Sequence, residues 1–109
     1  MVLAGERRLG GGPMNKELKA KWIEALRSNK YTQCQGRLRT KDNEFCALGV
    51  LADIYDNTQW ALKNKSWHYS YYGGTDVRKL MTPHVWANVM YMNDDLGKSF
   101  SDIADYLDA

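Results

Sequence analysis

The sequence predicts an α+β fold, a small single domain of about four helices packed with a short antiparallel β ribbon. Three observations predict it. Apolar residues recur at helical spacing behind capping residues at Asn15, Thr82 and Ser99, residues 45–55 are apolar nearly throughout, and the stretch 60–72 carries aromatic residues two apart. A length of 109 residues suits one modest core.

Residues 1–13 include Gly10-Gly11-Gly12-Pro13 and little that can pack, so they are expected to form a flexible leader or tag ahead of a domain spanning 14–109. Asn15 can accept backbone N–H bonds and start a helix over 15–29. Leu18, Trp22, Ala25 and Leu26 share one face of it, while Lys16, Glu17, Lys21, Glu24 and Arg27 occupy the wet ones. Over 31–40 the period shortens towards two, with Leu38 opposite Arg37 and Arg39 and a bend allowed at Gly36, which predicts a short hairpin or extended segment.

Asp42 or Asn43 is then expected to cap a buried helix over 45–55, with Glu44 in its first turn. Gly49 within it costs about 1 kcal/mol relative to Ala, which predicts close approach of another backbone. Trp60, Leu62, Trp67, Tyr69 and Tyr71 fit two strands of an aromatic ribbon turning at Asn64-Lys65 and closing at Gly73-Gly74, with an irregular aromatic-rich loop as the alternative. Thr82-Pro83 opens the third helix, with Val85, Trp86, Val89 and Met90 inward, and the run Asn93 to Gly97 is expected to break it. Ser99, with Asp102 three residues on, caps the last helix; Phe100, Ile103, Ala104 and Leu107 face the core and Asp102, Asp105 and Asp108 face water.

Composition narrows the function classes. No apolar run nears the roughly 20 residues of a membrane span, and the start lacks a secretory signal. Cys34 and Cys46 make no disulfide framework, so a reducing cytoplasm is the expected compartment. They and His68 and His84 are too scattered for the close ligand pairs of structural zinc, and Cys46, inside the apolar stretch, reads as a small core hydrophobe. Nothing local activates Cys34 as a nucleophile, Asn93-Asp94-Asp95 lacks the spacing of a calcium loop, and the glycine run at 10–12 precedes no phosphate-binding helix. The sequence therefore points to no catalytic residue, metal site or cofactor.

Charge is unevenly placed. Residues 1–41 hold ten Lys/Arg against three Glu, a balance of +7, and residues 42–109 hold five against ten Asp/Glu, a balance of −5. Such polarity can be neutralised within the fold or serve a partner. Tyr31, Arg37, Arg39 and Lys41, with Lys63, Lys65, Trp67, Tyr69 and Tyr71 of the ribbon, combine cations with rings and are the candidate binding residues. A helix-turn-helix reading of the last two helices fails, because their connection is too long and the acidic last helix would repel phosphates.

Five segments in order, 21–28 (KWIEALRS), 36–39 (GRLR), 45–51 (FCALGVL), 92–100 (MNDDLGKSF) and 103–107 (IADYL), resemble a group of small uncharacterised proteins of tailed bacteriophages and prophages. That resemblance implies a phage origin and expression in an infected bacterial cell, and it carries over no activity or catalytic residue. The expected function is a non-enzymatic interaction module, a monomer or small homo-oligomer that binds a host or phage protein without a membrane. The alternative is single-strand or backbone binding of nucleic acid through the basic aromatic face.

Overall fold

A computed structural model describes residues 14–69 and 77–109. The chain runs α1 (Lys16–Arg27), β1 (Thr32–Gln33), β2 (Glu44–Phe45), α2 (Ala47–Asp56), β3 (Trp60–Lys63), β4 (Ser66–Tyr69), α3 (Pro83–Met90) and α4 (Phe100–Asp108), with single 3-10 turns at Asn57–Gln59 and Val77–Leu80. This is the expected α+β fold, four helices with an antiparallel hairpin made by β3 and β4. The leader 1–13, Tyr71 and the Gly73-Gly74 close of the ribbon lie outside the described residues.

Local chemistry starts three of the helices where expected. The Asn15 side chain accepts from Leu18 N at 3.0 Å, Pro83 follows Thr82 at the start of α3, and the Ser99 hydroxyl accepts from Asp102 N at 3.0 Å. α1 packs against α4 and α2, and α3 crosses α2. The buried core joins Trp22 and Leu26 of α1, Ala47 through Ala52 of α2, Tyr69, Val77, Met81 and Val89 to Phe100, Ile103, Ala104 and Leu107 of α4. Trp22 is fully buried, and its indole Nε1 donates to the Ala47 carbonyl at 2.9 Å, so the largest core ring leaves no polar atom unpaired. α2 is the interior rod, buried on all sides over its first six residues.

Its start differs from expectation. Residues 44 and 45 are extended, Cys46 takes the N-cap position, and neither Asp42 nor Asn43 caps the helix. Pairing overrides helix propensity here. Glu44–Phe45 pairs with Thr32–Gln33 in parallel and, through Phe45, with Arg39 antiparallel, with Cys34 N donating to Phe45 O at 2.9 Å and Thr40 N to Glu44 O at 2.8 Å. The segment 31–40 is therefore split: Thr32–Gln33 forms one edge, Gly36 turns at φ +78°, and 38–40 returns along the other side. Cys46 is buried as expected, though it precedes the helix rather than lying within it.

Gly49 meets the backbone its presence implied. A Cβ there would stand 1.8 Å from the Leu38 carbonyl oxygen, which accepts from Cys46 N at 3.2 Å. The hairpin turns at Asn64-Lys65 with φ of +52° and +64°, the type I′ geometry of a two-residue loop.

The run 93–97 ends the third helix as expected, at its far end rather than its start. The helix widens to a π turn over Tyr91–Asp95, with Leu96 N donating to Tyr91 O at 3.0 Å, and the chain leaves only at Gly97, φ +63°. Met90, expected inward, is 39% exposed.

Candidate functional site

The loop 36–43 and the hairpin converge on one face. Gly36 N donates to Asp94 Oδ1 at 3.0 Å, tying the loop's start to the π turn, and Asn43 at φ +62° returns the chain into β2. Between them Arg39 folds inward. Its guanidinium carbon lies 3.7 Å from the Trp67 ring centroid and 5.2 Å from those of Phe45 and Trp60. Its Nε and Nη2 donate to Asn43 Oδ1 at 3.1 and 2.8 Å. A cation held over three rings is an attractive electrostatic arrangement, and here it fastens the loop to the hairpin.

The rings continue as a packed array. Tyr31 meets Phe45 edge-on with centroids 5.1 Å apart, Phe45 meets Trp60 at 6.1 Å, and Trp60 meets Trp67 at 6.4 Å and Tyr69 at 5.0 Å. Asp53 of α2 anchors the array, accepting from the Tyr31 hydroxyl at 2.7 Å and from Trp60 Nε1 at 3.1 Å. Burial, with the Asp53 hydrogen bond and charge behind it, pushes the Tyr31 phenol well above its ordinary range. Tyr69 is buried, and its hydroxyl donates to Asp56 O at 3.2 Å.

The predicted binding residues thus divide. Arg37, Lys41 and Lys65 border one shallow hollow of about 320 Å³, together with Asp42 and Glu44. Lys63, paired with Ser66 across the hairpin, is exposed beside it. Leu62, opposite Trp67, is 57% exposed. Arg39, Tyr31 and Trp67 are half-buried in the ring array and Tyr69 is core, so these four hold the face together. Tyr71 lies outside the described residues.

Neither thiol is activated as a catalytic nucleophile would be. Cys34 is buried and its Sγ donates to Arg37 O at 3.4 Å; burial first, then the charges of Glu44 and Asp94, raise its pKa. Burial pushes the Cys46 thiol up to about 12, although the N–H groups of Gly49 and Leu48 draw it partly back. A cleft of about 230 Å³ under Gly36, Arg37 and Leu38 reaches Cys46, Leu48 and Asp94, and neither His68 nor His84 lines it. Among the described residues, no three His, Cys, Asp or Glu side chains gather as metal ligands, and no helix is long and apolar enough to cross a membrane.

Two polar residues that organise this region escape sequence reasoning. Asn93, 1% exposed, accepts from Gln33 Nε2 at 2.8 Å and from Ala47 N at 3.2 Å, while its Nδ2 donates to Cys34 O and Asp94 Oδ1 at 2.8 Å each. The parallel ladder would continue with Ala47 N donating to Cys34 O. The Asn93 carboxamide stands in that gap and supplies both bonds. Asp53 is the other. Each carries a sequence signal: Asn93 follows Val89 by four residues on the apolar stripe of α3, and Asp53 follows Gly49 by four on α2.

Residues 14–101 match the family described as Domain of unknown function (DUF8296). The chain belongs to that family. The DUF8296 match takes in the loop, the hairpin, Asp53 and Asn93, and ends in the first turn of α4. No curated protein and no solved structure matches the chain.

Proposed function

We propose that this chain is a non-enzymatic interaction module, a phage- or prophage-borne accessory protein of the bacterial cytoplasm, which docks a host or phage protein on the face built by loop 36–43 and the tip of the β3–β4 hairpin. One observation carries the reading. Two segments more than 20 residues apart in sequence set Arg37, Lys41 and Lys65 around one hollow, where they outnumber Asp42 and Glu44, with exposed Leu62 on the same hairpin. Among the described residues no carboxylate lies within ion-pair range of Arg37, Lys41, Lys63 or Lys65. The acidic α4, by contrast, spends charge inside the fold, since Arg27 of α1 pairs with Asp105 at 2.8 Å and Asp108 at 3.2 Å. The complementary partner surface is acidic around an apolar contact.

The test is capture of a binding protein from host lysate by the wild-type chain and by an Arg37→Ala, Lys41→Ala, Lys65→Ala variant. Loss of about tenfold or more in affinity, with most of the change in association rate and salt dependence, is expected for charges at a docking rim. Equal capture by the two proteins sinks the reading.

The same cations keep nucleic-acid binding as the second reading. Phosphate contacts would suit Arg37, Lys41 and Lys65, but the rings are committed within the fold: Tyr31 to Asp53, Trp67 to Arg39, and Tyr69 to the core. Backbone binding without base stacking is what such a face allows. An oligonucleotide titration at two salt concentrations separates the readings, because phosphate binding weakens steeply with salt and would fall further in the triple variant.

A further inference from the structure

Strand pairing sets Cys34 beside Cys46. The parallel register matches Thr32 with Glu44 and Gln33 with Phe45, and the bond from Cys34 N to Phe45 O carries it on to the two cysteines. In-register residues of neighbouring strands project from the same face, on strands about 4.8 Å apart. A disulfide needs Cα atoms within about 4.4–6.8 Å. The Asn93 carboxamide, inserted between Cys34 O and Ala47 N, spreads the strands just past this point, and that distance range tolerates a modest spread. Both thiols share surroundings too. Cys34 Sγ donates to Arg37 O, and Cys46 borders the cleft of about 230 Å³ that Gly36, Arg37 and Leu38 also line.

We propose that Cys34 and Cys46 form an oxidisable pair that closes to an intramolecular disulfide when a low-molecular-weight disulfide is the oxidant. In the first step the Cys34 thiolate attacks one sulfur of the oxidant, whose S–S bond breaks and expels one small thiolate. In the second, the Cys46 thiolate attacks the Cys34 sulfur, the mixed disulfide breaks, and a second small thiolate leaves. The protein loses two electrons and two protons, and the two small thiols gain them. The free thiols of the reduced state are the other half of the couple. Closure makes a covalent ring of 34–46, the segment carrying Arg37, Arg39 and Lys41. An effect on partner docking rests on the reading given under Proposed function, whereas the pairing itself does not.

The experiment equilibrates the folded full chain with graded mixtures of reduced and oxidised glutathione, quenches with acid, alkylates the remaining thiols and identifies digested peptides by mass spectrometry. A Cys34–Cys46 crosslinked peptide accumulating as the mixture becomes more oxidising, on a chain that elutes like the reduced protein, supports the pair. Glutathione adducts that never close, a disulfide formed only between chains, or oxidation confined to urea-unfolded protein overturns it. A Cys46→Ser variant is expected to trap the adduct on Cys34, and a variant that folds yet takes up no glutathione overturns the order of attack. The wild-type crosslink decides the pairing even if that variant fails to fold. Repeating the lysate capture on the reduced and the crosslinked chain keeps the two readings apart: a crosslink with no capture in either state removes the docking face and leaves the thiol pair standing.

Discussion

Replacing Gly49 with Ala sets two effects of opposite sign against each other. Alanine is the better helix former by about 1 kcal/mol, so helix propensity alone makes Gly49→Ala stabilising. The added methyl would stand 1.8 Å from the Leu38 oxygen, 2.7 Å from its carbonyl carbon and 3.2 Å from its Cα. All three are backbone atoms and no rotamer change relieves the overlap, so the extended segment at 38 must move outward by roughly 1.2 Å or more. That displacement breaks the 3.2 Å bond from Cys46 N to Leu38 O. Overpacking costs about 1–3 kcal/mol and the lost bond about 1 kcal/mol, which leaves a net destabilisation of about 2 kcal/mol after the helix gain. With an urea m-value of about 1–2 kcal/mol/M for a chain of this size, the midpoint followed by tryptophan fluorescence drops by about 1–2 M. The backbone amides of 36–43 should shift in the same variant, since that loop is what moves. A Gly49→Ala protein as stable as wild type, with the loop unperturbed, refutes the close approach and with it the geometry of the proposed docking face.

Asn93→Ala orphans the buried Ala47 N–H and Cys34 carbonyl, at about 1–3 kcal/mol each, so equilibrium unfolding should show a loss of about 3 kcal/mol; a loss under about 0.5 kcal/mol would show that the side chain does not bridge the ladder. Leu48→Asp places an unpaired carboxylate in the core and should leave no cooperative unfolding transition, so a variant with native near-UV circular dichroism would mean the interior rod is misassigned. Alkali should weaken the fold, because burial raises the Cys46 thiol from 9.0, and the Tyr69 phenol from 10.0, to about 12. Between those limits the native state keeps protons that the unfolded chain has lost, so this stability is complete below about pH 9 and falls as pH rises towards about 12; a urea midpoint that stays flat across that interval contradicts the burial of both groups.

The exposed cations of the proposed docking face were legible from composition and spacing, because surface charge is a property of residue type and position. Which rings remain available was not. Tyr31, Trp67 and Tyr69 look alike in the chain as aromatic residues near lysines and arginines, yet one is bound to Asp53, one lies beneath Arg39 and one is buried in the core. Arg39 itself reads as one more cation beside Arg37 and Lys41. Its inward fold depends on Phe45, Trp60 and Trp67, which only the closed structure assembles.

By itself the sequence determined the helix starts at Asn15, Thr82-Pro83 and Ser99, the buried face of α4, the turn at Asn64-Lys65 and the crowding at Gly49. Each is settled within a few residues of backbone, by a cap, a fixed φ, a periodic stripe or a glycine that propensity alone disfavours. The tertiary structure alone decided that residues 44 and 45 leave the helix to pair with two other segments, that Asn93 completes a ladder between Cys34 and Ala47, and that Arg39 turns from solvent to the rings. Those outcomes depend on partners from 6 to 59 positions away, and the hydrogen bonds and ring contacts that select them exist only once the chain has closed.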